Sequence, residues 1–104
     1  MRTETGQHIL VAEADGQVVG TATVIVRHLI TRESPLGRLA SVVVLDGWRS
    51  RGVGGLLIDE AERICREAGC GVIEVTSATH RDRAHEFYRR RGYVAKPERF
   101  VKPL

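Results

Sequence analysis

The 104-residue chain predicts an α/β fold, a mixed α+β sheet with elements in the order β-β-β-α-β-α-β-β. Three observations predict it. Two β-rich runs meet at an Asp-Gly turn. A glycine loop then converts a strand pattern into a helix-period pattern, and a second strand-helix pair leads into a short terminal hairpin. A composition of 42% hydrophobic and 28% charged residues suits one globular domain over residues 1–104 and excludes a disordered, collagen-like or coiled-coil chain.

Ile9 to Ala14 is apolar enough for a strand, and Asp15-Gly16 signals a hairpin because both central residues of the tight turn must reach positive φ. Gln17 to Arg27 is a longer run of Val, Ile and Thr, residues that fit a pleated surface. His28 to Gly37 reads as a polar loop punctuated by Pro35. Arg38 to Leu45 reads as a third strand. Its Val42-Val43-Val44-Leu45 run is apolar on both faces, which predicts a central strand covered on both sides. After a break at Asp46 to Arg51, the residues Val53, Leu56, Leu57, Ala61, Ile64, Cys65 and Ala68 recur at helical spacing and predict one buried helix face. Asp59 with Arg63 and Glu62 with Arg66 are spaced as ion pairs on its wet side. Gly69 stops the helix. Val72 to Thr76 predicts a strand, Ser77 to Arg81 a polar connection, and Ala84, Phe87 and Tyr88 a second helix ending at Gly92. Tyr93-Val94 and Arg99 to Val101 predict a hairpin around Pro97.

The net charge is +3, and of the 16 basic side chains only Lys96 and Lys102 are Lys. Arginine presents a planar, always-charged fork suited to phosphate oxygens. Trp48, Phe87, Tyr88, Tyr93 and Phe100 form no stripe interleaved with basic residues, so nucleic acid is not an expected partner. No run approaches the ~20 apolar residues of a membrane span, and the polar start resembles neither a signal nor a transit peptide. Cys65 and Cys70 cannot build a disulfide framework or a zinc site, so no metal is expected and a reducing, cytoplasmic compartment fits.

The informative stretch is Arg49-Ser50-Arg51-Gly52-Val53-Gly54-Gly55, between the third strand and the long helix. A strand entering a helix through glycines leaves main-chain N–H groups unpaired at the positive end of the helix dipole, where they attract an anion. Gly52 and Gly54 let a phosphate approach where a Cβ would block it. A P-loop requires Lys and a hydroxyl that Gly54-Gly55-Leu56 does not supply. A dinucleotide fingerprint requires glycine where Leu57 stands; an acid about 20 residues on, here Glu74, meets its other condition.

Arg49-x-x-Gly52-x-Gly54 after the valine run resembles the acyl-coenzyme A signature of the GNAT superfamily of N-acetyltransferases. Ala84-His85-Glu86-Phe87-Tyr88-Arg89-Arg90-Arg91-Gly92-Tyr93 resembles that family's A-x-x-F-Y-x-x-x-G-F/Y segment, in family order and at suitable separation. The resemblance implies a mostly antiparallel sheet with splayed strands and helices on both faces. It implies that main-chain groups of Val42, Val43 and Val44 bond the pantetheine arm and acetyl carbonyl. Ser50, Arg51, Gly52, Val53, Gly54 and Gly55 would wrap the pyrophosphate, with Arg49 beside them. Tyr88 would protonate the departing thiolate, although its spacing with Ala84 and Phe87 also suits a core residue. Arg81 stands where many relatives carry an Asn facing the cofactor, and reaches a phosphate on this reading.

Amine attack on a thioester requires a base. Many relatives place Glu on the strand before the glycine loop, where this chain has Ala40-Ser41. Glu74 matches a position where some relatives keep a catalytic Glu; His28, His80 and His85 are alternatives by titration range. Relatives also begin with a strand and helices that cover the acceptor, and these have no counterpart before Ile9, as expected either of a minimal member that completes its site by dimerising or of a fragment of a longer chain. The resulting expectation is acetyl-coenzyme A-dependent transfer to a small-molecule or peptide amine, with a homodimer formed through exposed strand edges. The alternative is a non-catalytic module of the same fold that binds acyl-coenzyme A or serves assembly.

Overall fold

The computed structural model describes residues 5–28, 34–49, 51–75, 82–96 and 99–104. Strands β1 (Thr5–Ala14), β2 (Gln17–Arg27) and β3 (Leu36–Val44) lead into helix α1 (Val53–Glu67). Strand β4 (Val72–Val75), helix α2 (Asp82–Arg90) and strands β5 (Val94–Lys96) and β6 (Arg99–Pro103) follow, so the element order is the predicted one. The six strands form one mixed sheet in the order β1-β2-β3-β4-β6-β5, in which β3 and β4 are parallel and the other neighbours antiparallel. A parallel pair requires a crossover, and α1 supplies it. Thr76, Ser77 and Pro97, parts of the predicted strand end, connection and hairpin, lie outside the described residues.

Asp15 and Gly16 take φ of 52° and 78°, the paired positive values whose twist suits an antiparallel hairpin. Between β2 and β3 the register shifts at Thr23/Val24, which leaves Ala40 as the extra residue of a bulge. The core lies on one face of the sheet. Ala22, Val24, Val26, Leu39, Ile73 and Val75 are buried in one cluster with Val53, Leu57, Ile58, Ala61 and Cys65 of α1. Close approach of the helix is possible because a Cβ on Gly20 would stand 2.8 Å from Val53, and one on Gly37 2.5 Å from Cys65. Glycine at both positions removes that obstacle.

The buried stripe of α1 is rotated from its predicted centre. Leu56 is 67% exposed and Ile58 fully buried, because the arc facing the sheet runs through Val53, Leu57, Ile58, Ala61, Glu62 and Cys65. Glu62, expected on the wet side, is therefore 4% exposed. Its carboxyl group accepts hydrogen bonds from Tyr93 Oη at 2.9 Å, Lys102 Nζ at 3.0 Å and Arg66 Nη2 at 3.3 Å, which satisfies it where water cannot. The expected Asp59–Arg63 pair is replaced: Arg63 meets Glu60 and Glu67, while Asp59 meets Arg91.

Two expectations about coverage are corrected. Phe100 and Lys102 lie opposite Val75 and Ile73, so they share the face of α1. Lys102 reaches Glu62 of α1, and Tyr88 of α2 packs on Phe100 with ring centroids 5.5 Å apart. Both helices thus lie on one face, not on two. The opposite face carries Ile9 at 70% and Val43 at 60% exposure, and no described element covers it. β-Branched residues fit a pleated strand whether or not their face is covered, so the valine run reports strand formation and not burial on both sides.

Candidate functional site

The described pairing of β3 with β4 covers only the first part of β3. They pair only from Leu36↔Val72 to Leu39↔Val75, while β3 continues to Val44 along β2. No described strand pairs with the other edge of 40–44. Leu45 N donates to Val19 O at 2.8 Å, so by strand alternation Val43 turns its main-chain groups to β2 while Val42 and Val44 turn theirs to this other edge. Arg49 Nε donates to the Val44 carbonyl at 3.4 Å and Arg49 also pairs with Asp46 at 3.4 Å, both in solvent.

The turn that follows opens α1. Gly52 caps the helix at φ 85°, ψ 0°, a left-handed conformation that glycine adopts at no steric cost. It offers no side-chain cap, and the first intrahelical bond runs from Leu56 N to Gly52 O at 3.1 Å. The N–H groups of the first turn, at Val53, Gly54 and Gly55, precede that bond and have no intrahelical acceptor. No acidic residue occupies the first turn, so nothing opposes a bound anion there. A Cβ on Gly54 would meet Phe87 at 3.7 Å and Val44 at 3.8 Å, ordinary contacts. Packing alone does not require glycine at 54; a phosphate seated on the main chain does. Arg51 lies with its guanidinium 4.3 Å from the Trp48 ring centroid, above the same turn.

Tyr88 is placed by the way α2 ends. Gly92 takes φ 89°, Gly92 N donates to Arg89 O at 3.1 Å, and Tyr93 N donates to Tyr88 O at 3.0 Å. These two bonds form a Schellman stop, which brings the side chains flanking it together. Accordingly Tyr93 meets the Tyr88 ring edge-on at 5.6 Å, with Phe87 at 5.5 Å on another side. Burial raises the Tyr88 phenol above the ordinary tyrosine value, so it stays protonated at neutral pH.

Glu74 stands opposite Arg38 and Val101 in the sheet, one residue before the β3–β4 pairing ends. Its neighbours Ile73 and Val75 point to the helix face, so Glu74 points to the open one, away from Tyr88. His28 follows the end of β2 that pairs with Leu36, at the far end of β3 from the glycine turn. Ser50, His80 and Arg81 lie outside the described residues, as does the side chain of His85. The structure thus brings the valine edge, the glycine turn and the Phe87-Tyr88 end of α2 into one region, with Glu74 across the sheet.

Sequence reasoning missed the partners that fix this region. Arg91 Nη2 donates to Gly55 O at 3.1 Å and pairs with Asp59, joining the end of α2 to the first turns of α1. Tyr93, read as a strand residue and as the end of the family segment, is anchored by Glu62. Glu62 stands four residues from Ile58 and from Arg66 alike, so neither its burial nor its distant partners are visible in the spacing.

The profile of the Acetyltransferase (GNAT) family matches residues 1–93. The aminoalkylphosphonate N-acetyltransferase of Salmonella typhimurium is 32% identical over 97 residues, which cover 93% of this chain and 63% of that protein. The aminoglycoside N(6')-acetyltransferase type 1 of Stenotrophomonas maltophilia is 34% identical over 91 residues, covering 85% of this chain and 60% of that protein. The chain therefore spans less than two thirds of the length of either relative. Among solved structures, an aminoglycoside N-acetyltransferase in complex with coenzyme A superposes with a TM-score of 0.74 at 26% identity, covering 84% of this chain and 67% of that one.

Proposed function

This chain belongs to the GNAT acetyltransferase family, and from that premise we propose that it transfers an acetyl group from acetyl-coenzyme A to a primary amine by direct attack in a ternary complex. The observation that supports the reading is a pair of main-chain surfaces close together in the chain: no described strand pairs with the far edge of 40–44, and the first turn of α1 has no side-chain cap. A ligand with a diphosphate at one end and an amide-bearing arm at the other matches that pair of surfaces. Acetyl-coenzyme A supplies a thioester, an acyl donor whose leaving group is a thiol.

Val53, Gly54 and Gly55 bind the diphosphate through N–H groups, with Arg49 and Arg51 beside them. Ser50 belongs to the same set on the family pattern, and Arg81, standing where many relatives carry Asn, reaches a phosphate on this reading. Main-chain groups of Val42 and Val44 hold the arm and steady the carbonyl oxygen as it gains charge, while those of Val43, expected in the same role, face β2. Tyr88 keeps a proton available for the departing sulfur, and Glu74, on the open face, takes one from the amine. The acceptor is a small-molecule or peptide amine approaching from that uncovered face. Both cysteines are free thiols, which suits a reducing compartment such as the cytoplasm, and no described helix is long and apolar enough to cross a membrane.

Calorimetry with coenzyme A tests the first step. Binding is expected in the parent, and Gly54→Glu abolishes it by filling the turn with bulk and negative charge. No binding at millimolar ligand sinks the proposal. A panel of amines assayed for thiol release then separates two readings. Release with any amine supports the enzyme; coenzyme A binding without release supports a non-catalytic acyl-coenzyme A module, which the uncovered Ile9 and Val43 face favours.

A further inference from the structure

Three consecutive arginines, Arg89, Arg90 and Arg91, are alike in the sequence, and the structure separates them. Arg89 and Arg90 are exposed, and Arg90 pairs within its own helix with Glu86 at 3.4 Å. Arg91 alone of the three crosses to α1. Its Nη2 donates to the Gly55 carbonyl at 3.1 Å and pairs with Asp59 one turn further on. Its guanidinium lies 5.6 Å from the Phe87 ring centroid, and that ring stands against Gly54. A Cβ on Gly55 would stand 3.0 Å from Arg91 Nη1, so glycine at 55 makes room for the guanidinium. Arg91 Nε is buried with no partner among the described residues.

We propose that Arg91 is a positioning residue that holds the anion-binding turn of α1 and the Tyr88 end of α2 at one separation, so that the two ends of a single coenzyme A molecule bind as a unit. The inference rests on the acetyltransferase reading, which puts the diphosphate at Gly52–Gly55 and the sulfur near Tyr88. Two anchor points on a rigid frame give the second contact a high effective concentration once the first is made. Freeing one anchor spreads its positions and lowers that concentration, while leaving each anchor intact.

The test compares two ligands by calorimetry. One is coenzyme A. The other is adenosine 3′-phosphate 5′-diphosphate, which has the diphosphate and no pantetheine arm. Arg91→Met keeps the stem against Phe87 and removes both polar links. It is expected to weaken coenzyme A about ten-fold while the arm-less nucleotide stays within about two-fold. Arg91→Lys, which keeps the charge and a donor, recovers most of the loss. Asp59→Asn shifts coenzyme A in the same direction by less, and carries the comparison should Arg91→Met fail to fold. Equal weakening of both ligands makes Arg91 a phosphate ligand and overturns the inference alone; so does unchanged coenzyme A binding, or a lysine no better than methionine. A parent that binds neither ligand overturns the acetyltransferase reading, and this inference with it.

Discussion

The ring of Tyr88 is enclosed by Phe87, Tyr93 and Phe100 at centroid distances of 5.5 to 5.6 Å. That enclosure raises its pKa by withdrawing water from the phenolate. On the proposed mechanism the retained proton goes to sulfur. Tyr88→Phe is therefore expected to leave coenzyme A affinity within about two-fold and to lower turnover about 100-fold with the amine that proves to be acetylated. Unchanged turnover removes Tyr88 from the chemistry. The place of this residue near the end of α2 was legible in the sequence because its markers are local: Phe87 before it and Gly92 after it. Arg91 and Glu62 were not, since an arginine among arginines, or a Glu four residues from an Arg, has the same appearance buried or exposed.

At the scale of the element, α1 begins at Gly52 and stops at Gly69, both with φ of 85°. At its end Gly69 N donates to Arg66 O at 3.0 Å and Cys70 N to Cys65 O at 2.9 Å, the same stop that ends α2. Glycine spacing thus set both ends of the helix in advance of any packing. What holds α1 to the rest of the chain is less visible. Glu62 ties it to Tyr93, whose ring in turn braces Tyr88, and to Lys102 of β6. Glu62→Ala strands the Tyr93 hydroxyl and the Lys102 ammonium, and is expected to cost about 2–4 kcal/mol. At a few degrees per kcal/mol for a domain of this size, the thermal midpoint falls by about 10–20 °C. A midpoint within two or three degrees of the parent would show that this buried acid contributes little.

At the scale of the whole molecule, the core is one-sided and rich in groups that resist losing a proton. Burial pushes the Cys65 thiol up to about 12, and the thiol of Cys70 and the phenols of Tyr88 and Tyr93 are raised as well. Each binds its proton more tightly folded than unfolded. Their contribution is complete below the unfolded values, which begin near 9 for a thiol, and drains as pH rises through the folded ones. Thermal midpoints are expected to hold steady up to about pH 9 and then fall, with Cys65→Ala removing part of the fall. A midpoint that stays flat to pH 11 contradicts it. The uncovered face of the sheet belongs to this scale too. Ile9 and Val43 were legible as strand residues, yet nothing in their spacing states whether another layer lies over them.

Local chemistry wrote much of this protein into its chain. The Asp15-Gly16 hairpin, the helix boundaries at Gly52, Gly69 and Gly92, the order of the elements and the glycine turn before α1 all follow from φ preferences and side-chain period, which act over a few residues. Other features required the folded molecule: both helices on one face, the described pairing of β3 with β4 that reaches only to Leu39 and Val75, the burial of Glu62 and the reach of Arg91 to Asp59. Each depends on groups far apart in sequence meeting in space, and the free energy of such a meeting is set by the geometry of both partners together.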